Sequence, residues 1–150
     1  MNFRLAKDND FQSIVRIEQD AFKKDAWTLS QIKEELIISS SKKSYVLLKG
    51  KSIIGYLMCR QVMNEHEIIN FAIQPLDQGA GNGQIMLEKY FETIQDDSSV
   101  FLDVKRTNYP AIKLYLECGF EEIDIRQNYY QDGEDAIVMK RGKIRSHVMV

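Results

Sequence analysis

Asn108-Tyr109-Pro110-Ala111-Ile112-Lys113-Leu114-Tyr115-Leu116-Glu117-Cys118-Gly119-Phe120 reads as a short helix with both of its ends written into the sequence. Pro110 fits the first turn, where its missing N–H would have no partner in any case. Asn108 stands at the cap or just before it, able to satisfy free helical N–H groups. Ala111, Leu114, Tyr115 and Cys118 recur at i, i+3, i+4 and i+7, which marks one apolar face. Gly119 supplies a left-handed stop, and Phe120 opens the next apolar run. This spacing puts the Tyr115 phenol on the inward face. A phenol there is either a packed side chain with one hydrogen bond or a proton donor.

Working outward, Asn2 to Ala6 reads as a strand. Asp8 or Asp10 then caps a helix with apolar positions at Phe11, Ile14, Val15, Ile17, Ala21 and Phe22. Trp27 falls in the next loop, and Thr28 with Gln31 forms a capping box ahead of a second helix. Ser44 to Lys49 and Ser52 to Gln61 are strands joined at Gly50-Lys51, a two-residue hairpin signal. Glu67 to Ile73 is a further strand, followed by a glycine-rich loop and a helix carrying Ile85, Leu87, Tyr90, Phe91 and Ile94. Val100 to Val104 is a buried strand before the Asn108 helix. Glu122 to Tyr129 and Asp135 to Lys140 form a closing pair around Asp132-Gly133. This order predicts an α/β (α+β) domain over residues 1–140, a mixed sheet with helices on both faces. Residues 141–150 are expected to be a loose tail.

At 150 residues the chain has the length of a single domain with a full core. Lys plus Arg number 20 against 22 Asp plus Glu, so no basic field is available for holding nucleic acid directly. The two cysteines, Cys59 and Cys118, are far apart without CxxC spacing, and only two histidines accompany them, so no metal site is expected. The first residues lack the apolar run of a signal peptide, and no window has the length of a membrane span. Together these features predict a soluble cytoplasmic protein, monomeric or weakly dimeric.

The loop Gln78-Gly79-Ala80-Gly81-Asn82-Gly83 lies between a strand and a helix. A helix start offers unpaired N–H groups, and glycines let a phosphate approach them closely. The loop is neither a dinucleotide GxGxxG, since Gln84 stands where glycine is required, nor a Walker loop, since no Lys-Ser or Lys-Thr follows Gly83. The remaining pattern is Gln-x-x-Gly-x-Gly, which by itself also describes a flexible turn.

Gln78-x-x-Gly81-x-Gly83 after Asn70-Phe71-Ala72-Ile73-Gln74-Pro75, followed by Asn108-x-x-Ala111-x-x-Leu114-Tyr115-x-x-x-Gly119-Phe120, resembles the GCN5-related N-acetyltransferases. Arg126-Gln127-Asn128-Tyr129-Tyr130 with Asp135-Ala136-Ile137-Val138-Met139 resembles the RimI branch of that superfamily, the ribosomal-protein alanine N-acetyltransferases. The resemblance implies the fold of that superfamily, with acetyl-coenzyme A as donor and the N-terminal α-amino group of a ribosomal protein as acceptor. It places the pyrophosphate on the amides of Gly79, Ala80, Gly81, Asn82, Gly83 and Gln84, with Gln78 opening the loop. Backbone groups of Phe71, Ala72 and Ile73 would hold the pantetheine arm and polarise the thioester carbonyl. Asn108 matches a cofactor-contacting Asn, and Tyr115 the Tyr that protonates the departing thiolate.

The proton acceptor is Asp103 or Glu67. In the RimI branch a Glu is expected at the position of Asp103, whose carboxylate here is one methylene shorter. Strand parity puts Phe101, Asp103 and Lys105 on one face and Val100, Leu102 and Val104 on the other. Glu67 begins the strand leading to the glycine loop, where many acetyltransferases of this class keep a Glu base acting through water. An α-amine with a pKa near ~7.8 is deprotonated at pH 7 for about 1 kcal/mol, against nearly ~5 kcal/mol for a lysine near ~10.4. Either carboxylate therefore suits an N-terminal amine.

For the acceptor, Trp27 and the second helix, with Tyr129 and Tyr130 opposite, would form a peptide groove. Glu34, Glu35, Asp132, Glu134 and Asp135 would attract a basic peptide. Lys105, Arg106 and Lys113 would face the cofactor phosphates, while Gly79 replaces the family's usual basic residue in the loop. Two alternatives stay open: an acetyltransferase for a lysine or small amine, and an acyl-coenzyme A binding module without turnover.

Overall fold

Residues 1–142 are described by the structure, a computed structural model. Their strands are β1 (Asn2–Leu5), β2 (Lys42–Lys49), β3 (Ser52–Val62), β4 (Glu65–Ile73), β5 (Ser99–Lys105), β6 (Glu121–Arg126) and β7 (Ala136–Gly142). The helices are α1 (Phe11–Phe22), α2 (Leu29–Glu35), α3 (Asn82–Glu92) and α4 (Tyr109–Glu117). The strands form one sheet in the order β1-β2-β3-β4-β5-β7-β6. Every neighbouring pair is antiparallel except β4 and β5, which run parallel because the chain returns through α3 between them. The Gly50-Lys51 turn joins β2 to β3 as expected, with Gly50 at φ +63.

Helices cover both faces. On one side Ile14, Ile17 and Ile32 of α1 and α2 meet Val46, Tyr56, Met58 and Ala72 of the sheet. On the other, Met86, Leu87 and Tyr90 of α3 and Tyr115 of α4 meet Ile68, Ile73, Leu102 and Val104. The alternation expected in β5 holds: Val100, Leu102 and Val104 are buried in the second cluster, while Phe101, Asp103 and Lys105 are only partly covered. The capping box of α2 forms in both directions, Gln31 N–H to Thr28 Oγ1 at 3.1 Å and Thr28 N–H to Gln31 Oε1 at 2.8 Å.

Three expectations differ from the structure. Asp10 precedes α1, but its carboxylate takes the Lys7 N–H at 2.7 Å and pairs with Arg4 at 2.7 Å instead of capping the helix. The strand expected to reach Tyr129 ends at Arg126, because Asn128 adopts φ +52 and gives its N–H to Asp135 Oδ1 at 2.9 Å. Tyr129 and Tyr130 therefore sit in a loop. At the C-terminal end β7 runs on through Arg141 to Gly142, two residues into the expected tail; 143–150 lie outside the described residues.

What shapes the site is an irregularity in β4. Asn70 pairs with Met58 and Ile68 with Cys59, so Ile69 is an extra residue with no partner of its own on β3. Such a bulge disturbs the ladder and increases local twist. Its side-chain signature is plain: Ile69 packs toward α1, and Asn70, the next residue, also reaches an α1 side chain. At the same point β4 leaves β5. Their pairing runs from Glu65↔Ser99 to Ile68↔Leu102 and stops. Beyond it, β4 pairs only with β3 and β5 only with β7, so a gap opens in the sheet.

Candidate active site

One rim of the gap is the upper half of β4. Gln74 gives its N–H to Ile54 O of β3 at 2.7 Å. Strand alternation therefore turns Ala72 toward β3 and the main-chain groups of Phe71 and Ile73 toward the gap. Their partners are side chains: Phe71 N–H meets Asn70 Oδ1 at 2.9 Å, and Ile73 O takes Gln78 Nε2 at 2.8 Å. Phe71 and Ile73 thus form the pair able to present polar groups to a ligand there.

The glycine loop continues this rim. Gln78 is tied to β4 through Ile73, and Asn82 Nδ2 bonds Asp77 O at 2.9 Å, so the loop is stitched at both ends. Gly81 is the N-cap of α3 at φ +84, and Gly79 stands at φ +80; a Cβ at either would meet nothing within 4 Å. That leaves open space over the first amides of α3, which have no intrahelical acceptors. The cradle fits an anionic group held by main chain alone. Gly83 has another task. A Cβ there would come within 2.9 Å of Leu114 Cδ2, so this glycine lets α3 and α4 touch.

Helix α4 follows its sequence reading closely. Asn108 is the N-cap, its Oδ1 accepting from Ala111 N–H at 3.3 Å, and Pro110 lies in the first turn. Tyr115 is buried beside Phe71 and Phe120. Burial pushes its phenol well above the usual range, with Tyr130 as a second influence. The group therefore keeps its proton at neutral pH and is available as a donor.

Across the gap, Asp103 is the first residue of β5 past the parting, its side chain 18% exposed. Arg126 Nε lies 3.4 Å from Asp103 Oδ1. The two tyrosines of the β6–β7 loop stand over it edge to face, with centroids 5.2 Å apart. Burial and then the Asp103 charge raise both of their hydroxyls, Tyr130 to about 12. After burial, the Tyr130 hydroxyl is a lesser influence on the Tyr115 phenol. Glu67 is exposed, pairs with Phe101 two residues before Asp103, and its charge also bears on Tyr129. The structure thus gathers Asp103, Glu67, Tyr115, Tyr129 and Tyr130 around one opening.

Trp27 approaches from the opposite side on the α1–α2 loop, partly buried against the α1 cluster. The ends of the two loops are tied together by Lys105, whose Nζ lies 2.5 Å from Asp132 Oδ2 and 3.5 Å from Asp25 Oδ2. This corrects the expectation that Lys105 and Arg106 face phosphates: Arg106 pairs with Asp135 at 3.2 Å instead. It also removes three of the acids expected to draw a basic peptide. Asp132 and Asp135 are paired, and Glu35 is buried in a two-pronged contact with Arg60 at 2.7 and 3.1 Å.

Sequence reading missed Glu18. This α1 carboxylate is 1% exposed and collects three donors: Trp27 N–H at 2.9 Å, Asn70 Nδ2 at 2.6 Å and the Tyr56 hydroxyl. The only local signal is its position directly after Ile17 on the apolar side of α1, which fits a buried charge or a boundary residue equally well.

The chain matches the model of the acetyltransferase (GNAT) family over residues 11–120. It is 32% identical over 139 residues to the [ribosomal protein bS18]-alanine N-acetyltransferase of Haemophilus influenzae, covering 87% of this chain and 90% of that one. It is 28% identical to an N-alpha-acetyltransferase of Sulfolobus acidocaldarius, covering 91% and 89%. Among solved structures, the ribosomal-protein-S18-alanine N-acetyltransferase of Escherichia coli superposes with a TM-score of 0.85 at 26% identity, over 97% of this chain and 95% of the other.

Proposed function

The chain belongs to the acetyltransferase (GNAT) family, and from that premise we propose that it transfers an acetyl group from acetyl-coenzyme A to a protein N-terminus, the N-terminal alanine of a small-subunit ribosomal protein. The observation that carries this reading is the single gap between β4 and β5. A glycine cradle, a buried phenol and a strand-end carboxylate all border it. The names of the Haemophilus influenzae and Bacillus subtilis relatives support the choice of acceptor.

In this reading acetyl-coenzyme A supplies an activated thioester. The amides from Gly79 to Gln84 would hold its pyrophosphate, and Asn108 would contact the cofactor. Phe71 N–H, now held by Asn70, is a main-chain donor that would serve an acyl oxygen there. Asp103 receives the amine proton, directly or through water, and Glu67 is its rival. Tyr115 would stand as the acid toward the departing sulfur, whose conjugate thiol near ~8.5 makes it a good leaving group that needs little such help. Trp27, Tyr129 and Tyr130 line the acceptor entrance.

The test is thiol release from acetyl-coenzyme A with a peptide that begins with Ala and continues with basic residues. Acceleration by the peptide, with one N-terminal acetyl group found by mass spectrometry, is the expected result. Preference for free polyamines would move the reading to small amines. Intact acetyl-coenzyme A binding without turnover would move it to a binding module. Comparing Asp103→Asn with Glu67→Gln assigns the base: the larger fall in turnover is expected for Asp103→Asn.

A further inference from the structure

Glu18 lies outside the groups given chemistry above, yet it joins elements from both sides of the gap. Its Oε2 accepts the Trp27 N–H, the first main-chain group of the acceptor loop to touch the body of the domain. Its Oε1 accepts from Tyr56 on β3 and from Asn70 on β4. Asn70 in turn holds the Phe71 N–H that faces the gap. All three partners donate. A carboxylate accepts at both oxygens and donates at neither, whereas an amide of the same length would place an NH2 against a donor.

We propose that Glu18 is the positioning residue of the acceptor side: its buried carboxylate fixes where the Trp27 loop stands relative to β4, and so where the incoming amine meets the gap. The proposal rests on the acetyltransferase reading for its kinetic consequence but not for its structural one. Residues 23–27 form a short 3-10 turn and an extended link whose lysines are exposed. Besides this contact, the loop is fastened to the sheet by the Trp27 side chain and by the exposed Asp25–Lys105 pair, so the Glu18 contact is its one buried main-chain anchor. Removing a hydrogen bond from a buried charged acceptor releases a main-chain anchor that no neighbouring side chain replaces.

Trp27 is the chain's single tryptophan, which gives a readout independent of turnover. The full-length protein is compared with Glu18→Gln, Glu18→Asp and Tyr56→Phe. Glu18→Gln is expected to raise the KM for the Ala-initiated peptide about tenfold, with acetyl-coenzyme A affinity kept within about twofold. Its Trp27 emission should shift to the red and become more accessible to acrylamide while far-ultraviolet circular dichroism is unchanged. Glu18→Asp, which keeps the charge but shortens the reach, should raise the same KM about threefold and carries the test if Glu18→Gln does not fold. Tyr56→Phe removes a donor to the same carboxylate without touching the loop, so it should lower Tm and leave peptide KM and Trp27 emission unchanged.

Equal behaviour of the Glu18 variants and Tyr56→Phe would make Glu18 only a stabilising group and overturn the proposal. An inactive wild type whose Trp27 emission still shifts in the Glu18 variants would overturn the acetyltransferase reading and keep the anchor. An active wild type with unmoved emission and unmoved KM would do the reverse.

Discussion

Across the gap between β4 and β5 the two rims are made from different material. The donor-side rim is main chain: the amides at the start of α3, two glycines in left-handed conformation, and the edge of β4 at Phe71 and Ile73. The acceptor-side rim is side chain: Asp103, Tyr129, Tyr130 and the Asp25–Lys105–Asp132 tie. In the proposed function, main chain would recognise features that every acyl-coenzyme A shares, whereas side chains can be exchanged to suit one acceptor. On that reading, the difference separates the rim that would hold the donor from the rim that would choose the amine.

Four substitutions press on that contrast. Tyr115→Phe, between the two rims, should reduce turnover about a hundredfold while donor and acceptor affinities hold, as expected for loss of a general acid. Steady-state kinetics with direct titration of acetyl-coenzyme A decide it, and equal turnover would remove the acid role. Gly81→Val should weaken donor binding about tenfold or more, because a β-branched residue is strained at φ +84 and its side chain fills the cradle. Isothermal titration with coenzyme A checks this, and undiminished affinity would show that the loop is not the phosphate site. Lys105→Ala should untie the two loops and raise peptide KM about fivefold with donor affinity unchanged, an effect limited by the exposure of its partners. A matching loss of donor affinity would erase the distinction between the rims. The smallest effect is expected for Ala80→Arg, which adds a cation to an otherwise neutral cradle. Donor binding should tighten about threefold at low salt and lose the gain at high salt, the mark of a screened surface charge.

The same contrast explains what could be read in advance. Helix α4 was legible because Asn108, Pro110, Tyr115 and Gly119 act within one short segment. The glycine loop was legible for the same reason. Glu18 was not, since its donors come from 9, 38 and 52 residues away. Lys105 was misread because a lysine near a phosphate-binding motif looks like a phosphate ligand until the folded chain brings Asp25 and Asp132 beside it. Glu122 to Tyr129 reads as a strand paired around Asp132-Gly133, but Asn128 takes the left-handed turn that ends the run at Arg126. Local rules write the donor rim, and long-range pairing writes the acceptor rim.

Ile69 gives the fold an unusual vulnerability. Up to Ile68 the side chains of β4 keep one phase, and from Asn70 onward they keep the opposite one, with a single surplus residue making the exchange. Deleting that residue would seat Asn70 in its place on the α1 side and leave Phe71, Ala72 and Ile73 on the faces they now hold. The loss would be the bulge itself and the twist it adds where β4 leaves β5. Point changes along β4 alter one contact each; removing the surplus residue alters the course of the strand on which all of the later ones depend. For this strand, the number of residues is as much a part of the active site as their identity.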